Sequence, residues 1–301
     1  MEELGAKIIK EGTVNNLIHL GRTGKGVFVL SFVGHPEINP ENRFNYDFTL
    51  AVHRAFDAIE EELEKDAQGA PASLLVISES DKFFSNGIDT DLIYNPPKEI
   101  DMKYFNRLAM PAFVRPLLLD IPTIGAINGH CFGAGFMFSL CLDYRLQRKE
   151  RGYISANEVL IGAKTPGPEL TLFRSAMRQD EFLQSMLFGK RWSGDQALQS
   201  GIVQESVSGE ELLSKSMSKA IHFANIGKNR SVVKYYKREL RGYVAEEILA
   251  YCRKEKPLSK PLPPRLQKHY DEIVTQKSLA KTWGSRHRDL EYFKGIKHSM
   301  L

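Results

Sequence analysis

The stretch Thr123-Ile124-Gly125-Ala126-Ile127-Asn128-Gly129-His130-Cys131-Phe132-Gly133-Ala134-Gly135 decides the fold. It opens as an apolar strand, Thr123 to Asn128, turns at glycine, and runs into the strongly apolar segment Phe136 to Leu142, which reads as a buried helix starting near Ala134. A glycine turn that opens a helix leaves backbone N–H groups without intrahelical partners, backed by the positive end of the helix dipole. A second stretch, Ser85-Asn86-Gly87-Ile88-Asp89, has the same character, an apolar run ending in a glycine turn. Taken singly, either is equally a tight structural connection. Taken together, two such turns can aim two N–H groups at one oxygen, the requirement for stabilising an oxyanion.

Outward from these turns, strand-like and helix-like patterns alternate. Val27 to Val33 is β-branched and aromatic and reads as a buried strand, as does Ser73 to Ser78. Between them Phe48, Val52, Ala55, Phe56, Ile59 and Leu63 fall at helical spacing, with Glu60 to Asp66 expected as a solvated polar tail. Residues 101 to 120 read as helix interrupted at Pro111 and Pro116. Gly21 to Gly26 is neither a dinucleotide fingerprint nor a phosphate loop and is expected as a hairpin turn. Ser193-Gly194-Asp195-Gln196 is a capping box, with Gly201 suited to the C′ position. Residues 209 to 225 and 229 to 252 read as two further helices. The pattern predicts an α/β fold with layered sheets.

Composition bounds the function. Of 301 residues, 42% are apolar and 26% charged, the balance of a globular chain, and the net charge of +4 suits an anionic small ligand without implying nucleic acid. The basic residues Lys228, Arg230, Lys234, Lys237, Arg238 and Arg241 share a predicted helix and are expected as a solvated face or as contacts to ligand phosphates; no RNA-binding signature accompanies them. Cys131, Cys141 and Cys252 form neither a disulfide framework nor a metal pair. No apolar run approaches the roughly 18 residues of a membrane span, and Met1-Glu2-Glu3-Leu4 lacks the features of a signal or transit peptide. The terminal Ser299-Met300-Leu301 resembles a peroxisomal address with Met at its centre, giving a peroxisomal expectation with cytoplasmic as the alternative.

Near the second turn, Glu158 lies in the apolar context Ser155-Ala156-Asn157-Glu158-Val159-Leu160-Ile161-Gly162. Burial raises a carboxyl pKa and strengthens its conjugate base. Glu169, after Pro166-Gly167-Pro168, is the rival, placed like a first-turn helix residue. His130 is expected to support the turn rather than react. Phe132, Phe136, Met137 and Phe138 serve as core, as an apolar ligand pocket, or as both.

These residues resemble the enoyl-CoA hydratase/isomerase (crotonase) superfamily. Lys82-Phe83-Phe84-Ser85-Asn86-Gly87-Ile88-Asp89 is similar to its first oxyanion motif, and Ile121 to Gly135, followed by Leu142-Asp143, to its second. The resemblance covers residues 15 to about 205, with helices to about 252 fitting more loosely. It implies a crotonase-like spiral of ββα units over 1-205, C-terminal trimerisation helices over 206-255, and an extension of unknown role over 256-301. It also implies that the N–H groups of Ile88 and Ala134 hold the thioester oxygen of an acyl-CoA, with Phe84, Ser85, Asn86, Gly87, Asp89, Gly133 and Met137 around the substrate. Hydratases of the family carry two Glu residues; here the first position is Met137 and the second is Glu158. The stretch around Glu158 looks like the plant-type Δ3,Δ2-enoyl-CoA isomerases, with Asn157-Glu158-Val159 where those carry Ser-Glu-Val. One base with an oxyanion hole implies a 1,3-proton shift from a 3-enoyl-CoA to a 2-enoyl-CoA in β-oxidation. No metal or cofactor is expected beyond the CoA of the substrate, no partner nucleic acid or membrane insertion, and a homotrimer or dimer of trimers follows from the family. The alternatives are hydration or thioester hydrolysis, or acyl-CoA binding without catalysis.

Overall fold

The computed structural model describes residues 1, 4–9, 15–98, 102–253 and 262–271. The chain divides into two compact units, Met1–Lys260 and Pro261–Leu301. In the second, residues 264 to 271 are helical; Ser299-Met300-Leu301 and most of the expected extension lie outside the described residues.

Among the described residues the first unit holds ten strands: β1 Ala6–Ile8, β2 Ile18–Thr23, β3 Val27–Phe32, β4 Ser73–Ser78, β5 Phe83–Ser85, β6 Thr123–Ile127, β7 His130–Phe132, β8 Tyr144–Arg148, β9 Ile154–Ser155 and β10 Glu205–Val207. Its α-helices are α1 Tyr46–Lys65, α2 Thr90–Tyr94, α3 Met102–Leu118, α4 Ala134–Leu140, α5 Gly167–Ala176, α6 Gln179–Phe188, α7 Gly194–Gln199, α8 Gly209–Ala224, α9 Arg230–Lys237 and α10 Tyr243–Arg253. A seven-stranded sheet runs β1-β2-β3-β4-β6-β8-β10, and a three-stranded sheet runs β5-β7-β9. The β2–β3 hairpin turns at Gly26, as expected, and from β3 onward every pairing in the large sheet is parallel. Each winding therefore lays one strand in the large sheet, the next in the small sheet, and returns through helix: β4 and β5, β6 and β7, β8 and β9. This is the spiral of ββα units.

The helices seal both faces. Phe48, Val52, Ala55, Phe56, Ile59 and Leu63 of α1 are buried as the spacing predicts, and Asn45 caps the helix by accepting from the Phe48 N–H at 2.9 Å. A ring cluster of Phe32, Phe44, Phe48, Phe84, Phe113 and Phe138 fills one layer. On the other, Leu212 and Ala220 of α8 pack with Val29, Leu75, Ile124 and Leu146. The Ser73 hydroxyl donates to the Ala220 carbonyl at 2.7 Å.

Three expectations are corrected. First, α3 is continuous through Pro111 and Pro116. Its buried residues Leu108, Ala109, Ala112, Phe113 and Val114 pack on several sides, and that packing outweighs the two missing N–H donors. Second, the tail of α1 is solvated only in part: Glu61, Glu64 and Lys65 are exposed, but Glu60 and Asp66 are half-buried and paired. Arg115 of α3, fully buried, donates to Asp57 and Glu60 at 2.8 Å each, and Asp66 accepts from both Arg22 and Arg230. Third, the basic run is likewise divided: Lys228, Lys234 and Arg238 are exposed, while Lys237 and Arg241 are half-buried against the spiral. Lys237 donates to Pro116 O, Ile121 O and Asp143, and Arg241 to Leu140 O and Ser175. These bonds clamp α9 and the π-helical turn Arg238–Gly242 onto the spiral, and that turn divides the single helix expected over 229 to 252.

Candidate active site

The small sheet brings the site together. Its three strands are parallel and adjacent, with Ser85 registered to Cys131 and Phe132 to Ser155. Their carboxyl ends therefore emerge along one edge, the edge where α/β sheets place ligands. Asn86-Gly87-Ile88 leaves β5, Gly133-Ala134 leaves β7, and Asn157-Glu158 follows β9. The strand expected over Thr123 to Asn128 does not feed the second turn directly. Instead β6 ends at Ile127 and the three-residue β7 intervenes.

Both glycines are required by the approach of these segments. Gly87 has φ +86° and Gly133 φ +49°, conformations disfavoured for residues with a Cβ. A Cβ on Gly87 would stand 2.8 Å from the Phe132 carbonyl oxygen and 3.3 Å from the Ala134 nitrogen. One on Gly133 would stand 3.2 Å from Oε1 of Glu158 and 3.9 Å from Cα of Gly87.

The donors have defined directions. Phe44 forms a parallel bridge with Ile88: its N–H donates to Gly87 O at 2.8 Å and its carbonyl accepts from the Asp89 N–H at 3.2 Å. The N–H of the residue between them consequently faces away from Phe44. Ala134 is the first residue of α4, so its N–H has no intrahelical acceptor, while the Gly133 N–H is held by Ser155 O at 3.0 Å.

Two cavities meet at these donors. The outer one, about 230 Å³, is lined by Arg43, Asn86, Gly87, Gly133 and Asn157 among others. The inner one, about 260 Å³, is walled by Met110, Phe113, Met137, Tyr251 and Cys252 and also reaches Glu169. Ile88, Ala134 and Glu158 line both, as do Ile93 and Ala163. Glu158 begins the 3-10 turn Glu158–Ile161, and its Oε2 is buried without a hydrogen-bond partner. Burial raises its pKa, opposed in part by its own backbone N–H. Glu169 is 8% exposed, and burial first, then the charge of Glu158, pushes it up to about 8.

Of the residues expected around a substrate, Ile88, Ala134, Asn86, Gly87, Gly133 and Met137 line a cavity. Phe84, Ser85 and Asp89 line neither. Phe84 is fully buried against Phe32, the Ser85 hydroxyl donates to Asn42 O at 2.7 Å, and Asp89 caps α2 by accepting from the Asp91 N–H. Phe136 and Phe138 are core, leaving Met137 alone of that apolar run on the cavity. His130 stacks on Tyr153 and accepts from its N–H, supporting the rim. Arg43, Met110, Phe113, Tyr251 and Cys252 are not legible in the sequence as site residues; they come from distant segments and carry no local motif. Among the described residues no group of three or more His, Cys, Asp or Glu is arranged to hold a metal ion.

A model of the enoyl-CoA hydratase/isomerase family matches residues 37–260. The chain belongs to this family. Among the family's known members, the chain is 30% identical over 192 residues to enoyl-CoA delta isomerase 2, peroxisomal, of Arabidopsis thaliana, covering 62% of this chain and 75% of that one. It is 26% identical over 173 residues to the mitochondrial enoyl-CoA delta isomerase 1 of Mus musculus, covering 57% and 56%. In fold it is similar to a solved enoyl-CoA hydratase/isomerase family protein of Pseudomonas syringae, at a TM-score of 0.69 and 22% identity over 80% of this chain and 97% of that one. The two glycine turns and the spiral thus stand within the enoyl-CoA hydratase/isomerase family.

Proposed function

We propose that this enoyl-CoA hydratase/isomerase family member converts 3-enoyl-CoA to trans-2-enoyl-CoA, with Glu158 as the base. The observation that carries the reading is the position of Glu158, a half-buried residue whose buried Oε2 has no hydrogen-bond partner, lining both cavities beside the Ile88 and Ala134 donors. The thioester oxygen accepts from those two N–H groups, the acyl chain enters the inner cavity, and the CoA portion leaves through the outer one. Glu158 removes a proton from C2. The electron pair spreads over C2 to C4 as a dienolate whose oxygen the two donors stabilise. Protonation at C4 leaves the double bond between C2 and C3. The raised pKa of Glu158 suits a base that must take a weakly acidic proton.

Support for isomerisation over hydration comes from Met137, only 3% exposed, at the position where the family's hydratases carry their other Glu. Names of relatives agree. Hydration is the competing reading on one observation, the second carboxylate Glu169 in the same cavity. Purified protein given a 3-enoyl-CoA should form the 2-enoyl-CoA; given a 2-enoyl-CoA it should form little 3-hydroxyacyl-CoA. The reverse pattern makes it a hydratase, and no turnover of either removes the enzymatic reading. Further proposals are a reaction needing no cofactor beyond the substrate's CoA, assembly as a homotrimer or dimer of trimers, and a peroxisomal address at Ser299-Met300-Leu301. The last is supported by Arabidopsis relatives named peroxisomal.

A further inference from the structure

One buried ionisable group on the inner cavity is left unused by a single-base shift. We propose that Glu169 is a second acid–base residue, which delivers the proton to C4 after Glu158 has taken one from C2. The proposal rests on the isomerase reading above and adds a second residue to it.

Position carries the argument. Glu158 lines both cavities and stands beside the oxyanion donors, where C2 must lie. Glu169 lines only the inner cavity, on the wall formed by the start of α5, and C4 lies further along the acyl chain in that direction. Oε2 of Glu158 is buried without a hydrogen-bond partner, although Lys164, Arg107, Tyr251 and Cys252 line the same cavity as both carboxyls. Arg107 reaches Arg253 O instead. A carboxyl only 8% exposed is costly to ionise, so Glu169 is held as an acid facing the cavity.

The charge states suit the division of labour. Glu169 occupies the first turn of α5, where the helix dipole favours an anion, yet burial and the neighbouring Glu158 charge prevail and hold it up to about 8. The Glu158 charge acts on Glu169 and not the reverse, so of the two Glu169 keeps its proton to the higher pH. Environments that push two carboxyls apart in this way assign an acid and a base. The steps balance. Ionised Glu158 takes the C2 proton and becomes neutral as the dienolate forms. The dienolate electron pair takes the Glu169 proton at C4, leaving Glu169 ionised. The proton on Glu158 then passes to Glu169, directly or through solvent, and the starting state returns.

The test follows label in the full-length protein given 3-hexenoyl-CoA in deuterated water. Wild type should form 2-enoyl product whose C4 carries solvent deuterium from the first turnover. Glu169→Gln should keep exchange at C2 within about tenfold of wild type, while isomerisation falls by about 100-fold or more. Glu158→Gln should lose both. Isomerisation by Glu169→Gln at the wild-type rate overturns the proposal and leaves the isomerase reading standing. So does a first-turnover wild-type product that carries at C4 the hydrogen taken from its own C2, a result that needs no variant to fold. A wild type that neither exchanges C2 nor isomerises overturns the isomerase reading and this proposal with it.

Discussion

Replacing Gly87 by alanine tests whether the separation of the two turns sets the rate. The new Cβ would lie 2.8 Å from the Phe132 carbonyl oxygen. That oxygen belongs to β7, held between β5 and β9, so it cannot swing aside as a flexible side chain would. Reaching the 3.4 Å of ordinary contact requires the first turn to retreat by roughly 0.6 Å. Catalytic groups tolerate displacements of only about 0.5 Å, and the donor window at an oxyanion spans a few tenths of an ångström. The Ile88 N–H should therefore be lost as a donor, lowering kcat by about 10²–10³. The left-handed φ of +86° adds a stability cost of about 1–2 kcal/mol. Gly201→Ala is the control: φ is +73° and nothing lies within 4 Å of its Cβ, so it should lose similar stability and keep its rate. Turnover of 3-enoyl-CoA and thermal melts on both variants make the comparison. A Gly87→Ala enzyme within about fivefold of wild type, or a Gly201→Ala enzyme as slow as Gly87→Ala, refutes the reasoning.

Three other outcomes follow from the same structure. Glu169 titrates near 4.5 when unfolded and at about 8 when folded. Between these values the native state holds the extra proton, so rising pH destabilises it, by at most about 1.4 kcal/mol per pH unit. In urea unfolding from pH 5 to 8, Glu169→Gln should gain on wild type as pH rises, and parallel curves would count against the buried acid. Arg115→Ala should cost about 3–5 kcal/mol, because Asp57 and Glu60 would lose the buried guanidinium that both bind at 2.8 Å; a shift in melting temperature of only a degree or two would contradict this. Met137→Ala should enlarge the inner cavity and move the kcat/KM optimum toward longer acyl chains, and an unchanged chain-length profile would place the acyl group elsewhere.

The sequence disclosed what depends on local rules. Apolar spacing placed α1, β3 and β4 to within a residue or two, and the glycine turns with their neighbouring Glu pointed to the site. Hidden were the three strands of the small sheet, two or three residues each, too short for alternation to register. Those strands explain why the site forms at all, since they align the three site segments on one edge. Charge patterning misled for a related reason. Residues such as Arg115, Arg230 and Lys237 resemble solvated side chains until their partners arrive from the far side of the spiral. Glu169 reads from the sequence as a rival to Glu158 placed like a first-turn acid, and the packing of α5 against the inner cavity puts both on one cavity.

The central claim is that Glu158 removes a proton held next to a thioester whose oxygen sits between Ile88 and Ala134. The most direct measurement is the rate of C2 hydrogen exchange and of 2-enoyl-CoA formation from a 3-enoyl-CoA, wild type against Glu158→Gln. The account predicts that the variant folds as wild type does and loses both rates by about 10²–10⁴. A folded Glu158→Gln protein that still exchanges C2 and isomerises at the wild-type rate would contradict it.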